Sequence, residues 1–315
     1  MELVITDGFT VNPGDLSWDG IAQFGRLTTY ERTGKEDIYD RCKGAGIILT
    51  NKVPLDRHLM ENSPSLELIC VLATGYNIVD IGTARRLNIP VCNVPTYGTM
   101  SVAQHTMALI LELTNQSGLH NLSVHMGEWQ LSKDWSYSKS ELIELGGKKL
   151  GIVGLGHIGE QVARIAGAFG MEVLYHGPRQ KQTSLGRFTS LEELFSQADI
   201  ISLHCPLTKD NAGIVNTSLI SRMKPEAFII NTARGQLINE MDLARALNRN
   251  RIAGAALDVL AIEPPESTNP LLTARNCIIT PHNAWKTKEA RKRILEVTEE
   301  NIRRFLKQDP QNLVW

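Results

Sequence analysis

Three residues have the types that proton transfer and anion binding need, and each follows an apolar run. Arg234 follows Phe228-Ile229-Ile230-Asn231-Thr232-Ala233. Glu263 lies beyond Ala255-Ala256-Leu257-Asp258-Val259, just before Pro264-Pro265, and His282 follows Ile278-Ile279-Thr280-Pro281. An imidazole titrates near neutrality, so it can give a proton to an oxygen that gains charge and take it back in reverse. A carboxylate beside such a ring favours its charged form and fixes its orientation. A guanidinium can grip a carboxylate through two parallel hydrogen bonds and polarise a neighbouring keto oxygen. The three together suit hydride addition to the keto carbon of a small 2-keto acid. Singly they have plainer readings: Arg234 a surface ion pair, Glu263 a loop charge, His282 a capping histidine. Their recurrence after successive apolar runs favours one shared crevice.

A glycine-rich turn supplies the other half of that chemistry. Gly151-Ile152-Val153-Gly154-Leu155-Gly156-His157-Ile158-Gly159 contains G-x-G-x-x-G between a strand-like run and a helix-like segment. Gly154 permits the tight turn, Gly156 lets the backbone approach a pyrophosphate, and Gly159 lets helix and strand pack closely. The N–H groups that open the following helix suit an anion. At the end of the next strand run the sequence reads Tyr175-His176-Gly177-Pro178-Arg179-Gln180-Lys181. Gly177 stands where an acidic residue would hold the ribose hydroxyls of NAD. Arg179 and Lys181 are cations suited to a 2′-phosphate. The reading favours NADP(H). NAD(H) is the alternative, in which the two cations are merely solvated.

The elements that must position these groups alternate along the chain. Apolar runs at 3–6, 47–50, 68–72 and 90–94 are separated by amphipathic stretches at 56–62 and 79–87. A helix is expected over 101–120, followed by a more polar excursion at 117–145 that carries Trp129, Trp135 and Tyr137. Six further strand runs follow at 150–153, 171–175, 199–203, 227–231, 253–257 and 277–280, with helix starts at Ser190 and Asn239. This alternation predicts an α/β protein with two doubly wound parallel sheets. The charged amphipathic segment at 287–306 comes after the second sheet is complete, so it is expected to return to the first. The domains are then 1–98 with 285–315, and 99–284.

Composition narrows the class. The 315 residues hold 33 Lys+Arg against 34 Asp+Glu, a balance that argues against a broad basic nucleic-acid surface. Cysteines at 42, 70, 92, 205 and 277 form no C-x-x-C pair and no cluster with His at zinc spacing, so they read as reduced thiols and no metal is expected. The acidic start at Glu2-Leu3-Val4-Ile5-Thr6-Asp7 reads as a strand rather than a signal peptide, and no uncharged stretch is long enough for a bilayer. A cytoplasmic protein is expected.

With these residues the chain resembles the D-2-hydroxyacid dehydrogenase family over nearly its whole length, most closely its glycerate dehydrogenase/hydroxypyruvate reductase (glyoxylate reductase) branch. The resemblance rests on the glycine turn, His204-Cys205-Pro206-Leu207-Thr208, Asn231-Thr232-Ala233-Arg234-Gly235, Ala256-Leu257-Asp258-Val259 with Glu263-Pro264, and Thr280-Pro281-His282. It implies a Rossmann-type dinucleotide domain inserted in a smaller flavodoxin-like substrate domain that closes over the bound substrate. Arg234 would bind substrate, His282 would be the acid/base and Glu263 its partner. His157 and Ile158 would touch the pyrophosphate. Cys205, Pro206, Thr232, Ala233 and Asp258 would line the dinucleotide cleft, with Asp258 near the carboxamide. Leu72-Ala73-Thr74-Gly75-Tyr76-Asn77 resembles the family's substrate loop, with the Thr74 and Gly75 amides on the substrate carboxylate; an ordinary strand-to-helix turn is its plain alternative.

The family also implies a homodimer formed through an arm, here about 117–145. Trp135 either packs in that interface or reaches the partner's site. The departure from the family's pattern is Gly177 in place of Asp, which bears on NAD and not on the chemistry. A dinucleotide-sensing, corepressor-like regulator on the same fold is the alternative from another class; turnover of keto acids separates the two. Formate dehydrogenases, which resemble this branch, are disfavoured because they pair the His with Gln.

Overall fold

Twelve strands, all paired in parallel, form two separate sheets in a computed structural model that describes residues 1–315. The chain divides into two compact units, Met1–Gly98 with Lys286–Trp315, and Thr99–Trp285.

The first unit holds β1 (Glu2–Ile5), β2 (Arg26–Thr29), β3 (Ile47–Thr50), β4 (Leu68–Val71) and β5 (Val91–Cys92), in the order β2-β1-β3-β4-β5. That is a doubly wound, flavodoxin-like order. Every residue of β3 and β4 is buried, because central parallel strands are covered on both faces. The edge strand β2 carries Arg26, Thr28 and Thr29, and none of its residues is buried, so it has no apolar run to betray it in sequence. Asp56 and Asp80 open the helices Arg57–Glu61 and Ile81–Arg86 by accepting hydrogen bonds from the amides of Leu59 and Thr83. The long helix Lys288–Leu306 is capped in the same way by Thr287. It buries Ala290, Ile294, Thr298 and Ile302 within this unit.

The second unit holds β6 (Lys149–Val153), β7 (Glu172–His176), β8 (Arg187–Phe188), β9 (Ile200–Leu203), β10 (Phe228–Asn231), β11 (Gly254–Leu257) and β12 (Cys277–Ile279). Their order is β12-β11-β10-β9-β6-β7-β8, a Rossmann-type sheet whose winding reverses between β6 and β9. It has one strand more than the six apolar runs; β8 is two residues long and flanked by polar chain. The helix expected over 101–120 is two helices, Thr99–Asn115 and Ser117–His125, because Gln116 takes a left-handed conformation with φ +46°. No helix or strand lies between His125 and Lys149. No helix is long and apolar enough to cross a membrane.

Candidate active site

Strand register places the site. His176, Val153, Leu203, Asn231, Leu257 and Ile279 stand side by side across β7-β6-β9-β10-β11-β12. The glycine turn and the Arg, Glu and His residues begin just beyond this row. They lie at the carboxyl ends of the strands, where doubly wound sheets bind ligands.

At the switch point the glycines are required by close approach. Gly154 has φ +98°, and a Cβ there would lie 2.5 Å from the Cys205 amide nitrogen. A Cβ on Gly159 would lie 2.3 Å from the Gly154 carbonyl oxygen, so this glycine seats the helix His157–Ala168 on its strand. A Cβ on Gly156 would meet nothing within 4 Å, so this glycine borders open space. Gly156 opens the helix without a side-chain cap. The amides of His157, Ile158 and Gly159 make no hydrogen bond within the chain, a set of free donors that fits a pyrophosphate. Cys205, Pro206, Thr232 and Ala233 stand at the ends of the neighbouring strands, with Thr232 buried and Pro206 exposed. Burial pushes the His204 imidazole down to about 4, so it is neutral at pH 7. Its Nε2 lies 2.8 Å from Ser202 Oγ.

His282 and Glu263 meet. Nδ1 of His282 lies 2.6 Å from Oε2 of Glu263, and the other Glu263 oxygen accepts the Leu260 amide at 3.0 Å, which pins the carboxylate. Nε2 of His282 makes no hydrogen bond within the chain. His282 has φ +49°, a left-handed conformation that a non-glycine residue holds only when its surroundings fix it. Asp258 does so. Its carbonyl accepts the His282 amide at 2.8 Å, and its carboxylate accepts the Asn283 amide at 3.0 Å, the Ala284 amide at 2.9 Å and the Thr280 hydroxyl at 2.6 Å. Burial pushes the Asp258 carboxyl up. The bonds from His105, Thr280, Ala284 and Asn283 outweigh burial and hold it below the ordinary carboxylate range. Asp258 is 1% exposed, so its carboxylate serves the loop that carries His282.

Arg234 sits in a turn that the Asn231 side chain closes at both ends, donating to the Arg234 carbonyl at 2.9 Å and accepting the Ala233 amide at 3.0 Å. The next residue packs that turn onto the Glu263 loop. A Cβ on Gly235 would lie 1.9 Å from the Leu260 carbonyl carbon and 2.4 Å from the Ala261 nitrogen. The guanidinium itself donates to the Ala233 carbonyl at 2.7 Å and is not bonded to Glu263 or His282.

Arg179 and Lys181 lie beyond β7, on the far side of the glycine turn from this group. Arg179 is exposed beyond β7 and makes no ion pair. Lys181, read with it as a free cation, is paired with Glu160 of the glycine-turn helix at 2.8 Å. That pairing joins residues distant in sequence and is invisible in a linear reading. Thr74 and Gly75 belong to the first unit. Thr74 accepts a bond from Asn93 Nδ2 at 2.7 Å and donates its hydroxyl to Val94 at 2.9 Å, while the Thr74 and Gly75 amides remain unbonded within the chain. Trp135 is 88% exposed in the segment after Ser117–His125. Sequence reasoning missed His105, Thr106 and Asn231 as supports. The one signal was two polar residues amid the apolar face of the helix Thr99–Asn115.

The family model described as "D-isomer specific 2-hydroxyacid dehydrogenase, NAD binding domain" matches residues 107–284. The chain belongs to this family. It is accordingly an oxidoreductase that acts on the CH–OH group of 2-hydroxy acids. It is 46% identical to a hydroxypyruvate reductase of Blautia hydrogenotrophica over 100% of this chain and 99% of that protein. Among solved structures, an acyclic imino acid reductase in complex with NADPH and D-Arg matches with a TM-score of 0.88 and 30% identity, covering 100% of both chains. A D-lactate dehydrogenase from Aquifex aeolicus complexed with NAD and lactic acid matches with a TM-score of 0.83 and 31% identity, covering 98% of this chain and 96% of that one.

Proposed function

We propose that the enzyme reduces hydroxypyruvate or glyoxylate to the corresponding D-2-hydroxy acid, with NADP(H) favoured over NAD(H). The observation that carries the reading is the 2.6 Å contact between His282 and Glu263 at the carboxyl edge of the sheet that also bears the glycine turn. The substrate is argued from the relative in Blautia hydrogenotrophica. A reduced nicotinamide dinucleotide, when bound, supplies the hydride. Gly154, Gly156, His157, Ile158 and Gly159 would hold its pyrophosphate, and Cys205, Pro206, Thr232, Ala233, Arg234 and Asp258 would border its cleft. Glu263 holds Nδ1 of His282, which leaves Nε2 to pass a proton to the keto oxygen as charge builds there. Arg234 draws negative charge onto that oxygen and orients the carboxylate. Thr74 and Gly75 would bind substrate through their amides, which are unbonded within the first unit.

The NADP(H) preference rests on Gly177 and Arg179. An aspartate at 177 is missing, and Arg179 is uncommitted, whereas Lys181 would first have to leave Glu160. Exposed Leu122, Met126, Leu131 and Trp135 support a homodimer formed through the 117–145 segment. A cytoplasmic setting agrees with five cysteines that form no disulfide.

The test is oxidation of NADPH and of NADH, in parallel, with each keto acid. Turnover favouring NADPH supports the whole reading. Turnover favouring NADH keeps the reaction and removes Arg179 from the cofactor site. Failure with both substrates, and with bulkier keto acids, would bring the sensing role forward.

A further inference from the structure

His105 has no task in the mechanism above, yet it is held against the loop that carries His282. It lies on the helix Thr99–Asn115 among buried Val102, Ala103, Met107 and Leu109. Its Nε2 is 3.0 Å from Thr280 Oγ1 and 3.5 Å from Asp258 Oδ1. Hydrogen counting fixes the direction of these bonds. The Asp258 carboxylate only accepts, and a threonine hydroxyl has one hydrogen to give. Thr280 gives that hydrogen to Asp258 at 2.6 Å, so its oxygen accepts from His105, whose Nε2 must be protonated. A chain therefore runs from His105 through Thr280 to Asp258, which receives the amides of His282, Asn283 and Ala284. The next helix residue meets the other loop as an acceptor: the Thr106 hydroxyl donates to the Val102 carbonyl at 2.8 Å, so its oxygen accepts from Thr232 Oγ1 at 3.0 Å, two residues before Arg234.

We propose that His105 is a positioning residue for proton transfer, holding through Thr280 and Asp258 the backbone that presents His282 at positive φ. The inference rests on His282 being the proton donor. The chain is driest at its acceptor end, where Asp258 is 1% exposed, while the His105 side chain that donates into it is 23% exposed. Leucine at 105 removes the donor. Glutamine keeps an N–H at the reach of Nε2.

The test uses the full-length enzyme, with the single-turnover rate of NADPH oxidation, the KM for the keto acid, the NADPH dissociation constant and amide exchange at Asn283 and Ala284 as readouts. His105→Leu should lower the single-turnover rate about tenfold and speed exchange at both amides. KM and NADPH affinity should stay within about twofold. His105→Gln should restore most of the rate. His105→Leu combined with Thr280→Val should be no slower than Thr280→Val alone, because both break one chain.

A wild-type rate and exchange in His105→Leu overturns the proposal. So does a loss that glutamine fails to restore, or losses that add. If His105→Leu does not fold, Thr280→Val against Thr280→Ser decides, since serine keeps the hydroxyl; equal losses overturn the chain. His282→Ala separates the two readings. If it is inactive while His105→Leu is fully active, only the positioning role falls. If His282→Ala turns over normally, the proton-donor reading falls and takes this one with it.

Discussion

Replacing Gly235 with alanine should damage catalysis without touching a group that reacts. The added Cβ would lie 1.9 Å from the Leu260 carbonyl carbon and 2.1 Å from its oxygen. Non-bonded carbons rest about 3.5–4.0 Å apart, so the two loops must part by roughly 1.5–2 Å. Both sides of the contact are backbone, and no flexible side chain can yield. Arg234 precedes Gly235, and the Leu260 amide holds Glu263, so the displacement falls between Arg234 and the Glu263–His282 pair. Misplacement of reacting groups by about 1 Å can cost roughly a hundredfold, so kcat/KM should fall by about 10²–10³, or ~2.7–4 kcal/mol. Overpacking should also reduce stability by about 1–3 kcal/mol, read by urea denaturation. NADPH affinity should change little, because Gly154–Gly159 is a separate turn. Steady-state oxidation of reduced cofactor gives kcat/KM, and fluorescence titration gives the affinity. Wild-type kcat/KM would refute the reasoning, as would a loss matched by equal loss of NADPH binding. Gln236→Ala, which removes a 2.7 Å bond to the Ala261 carbonyl, should show a smaller effect in the same direction.

Three further outcomes follow from the same geometry. His282→Ala should remove turnover by more than about a hundredfold while NADPH binding stays near normal, as titration would show; lost cofactor binding would make the residue structural. Arg179→Ala should weaken NADPH about tenfold and NADH hardly at all, and equal effects would take Arg179 out of the 2′-phosphate site. Hydrogen bonds from Arg291 hold the Asp15 carboxyl down to about 2, below its ordinary 3.8. A depressed carboxyl stabilises the folded state above its ordinary value, and this is lost as pH falls through the folded one. Asp15→Asn should therefore be less stable than wild type to urea at pH 7, and the gap should close toward pH 2. A gap independent of pH would exclude the ionised pair as its cause.

Much of the architecture was legible in the chain because buried parallel strands read as continuous apolar runs. The runs at 47–50 and 227–231 coincide with strands or lie within a residue of them. Caps were legible for the same local reason: Ser190 and Asn239 accept amides three residues on. What escaped was short or polar. β2 and β8 have no apolar run, and the break at Gln116 is a single left-handed residue inside a helical pattern.

At the site, residue type and order already named Arg234, Glu263, His282 and the three turn glycines, because proton transfer and pyrophosphate binding each need a chemistry that few residues supply. Tertiary structure decided which of them touch and what holds them. The Lys181–Glu160 pair, the packing of Gly235 on Leu260 and the path from His105 to Asp258 join residues 21, 25 and 153 positions apart. Contacts over such separations are set by strand register and helix packing across a whole sheet, and no local pattern in the chain encodes them.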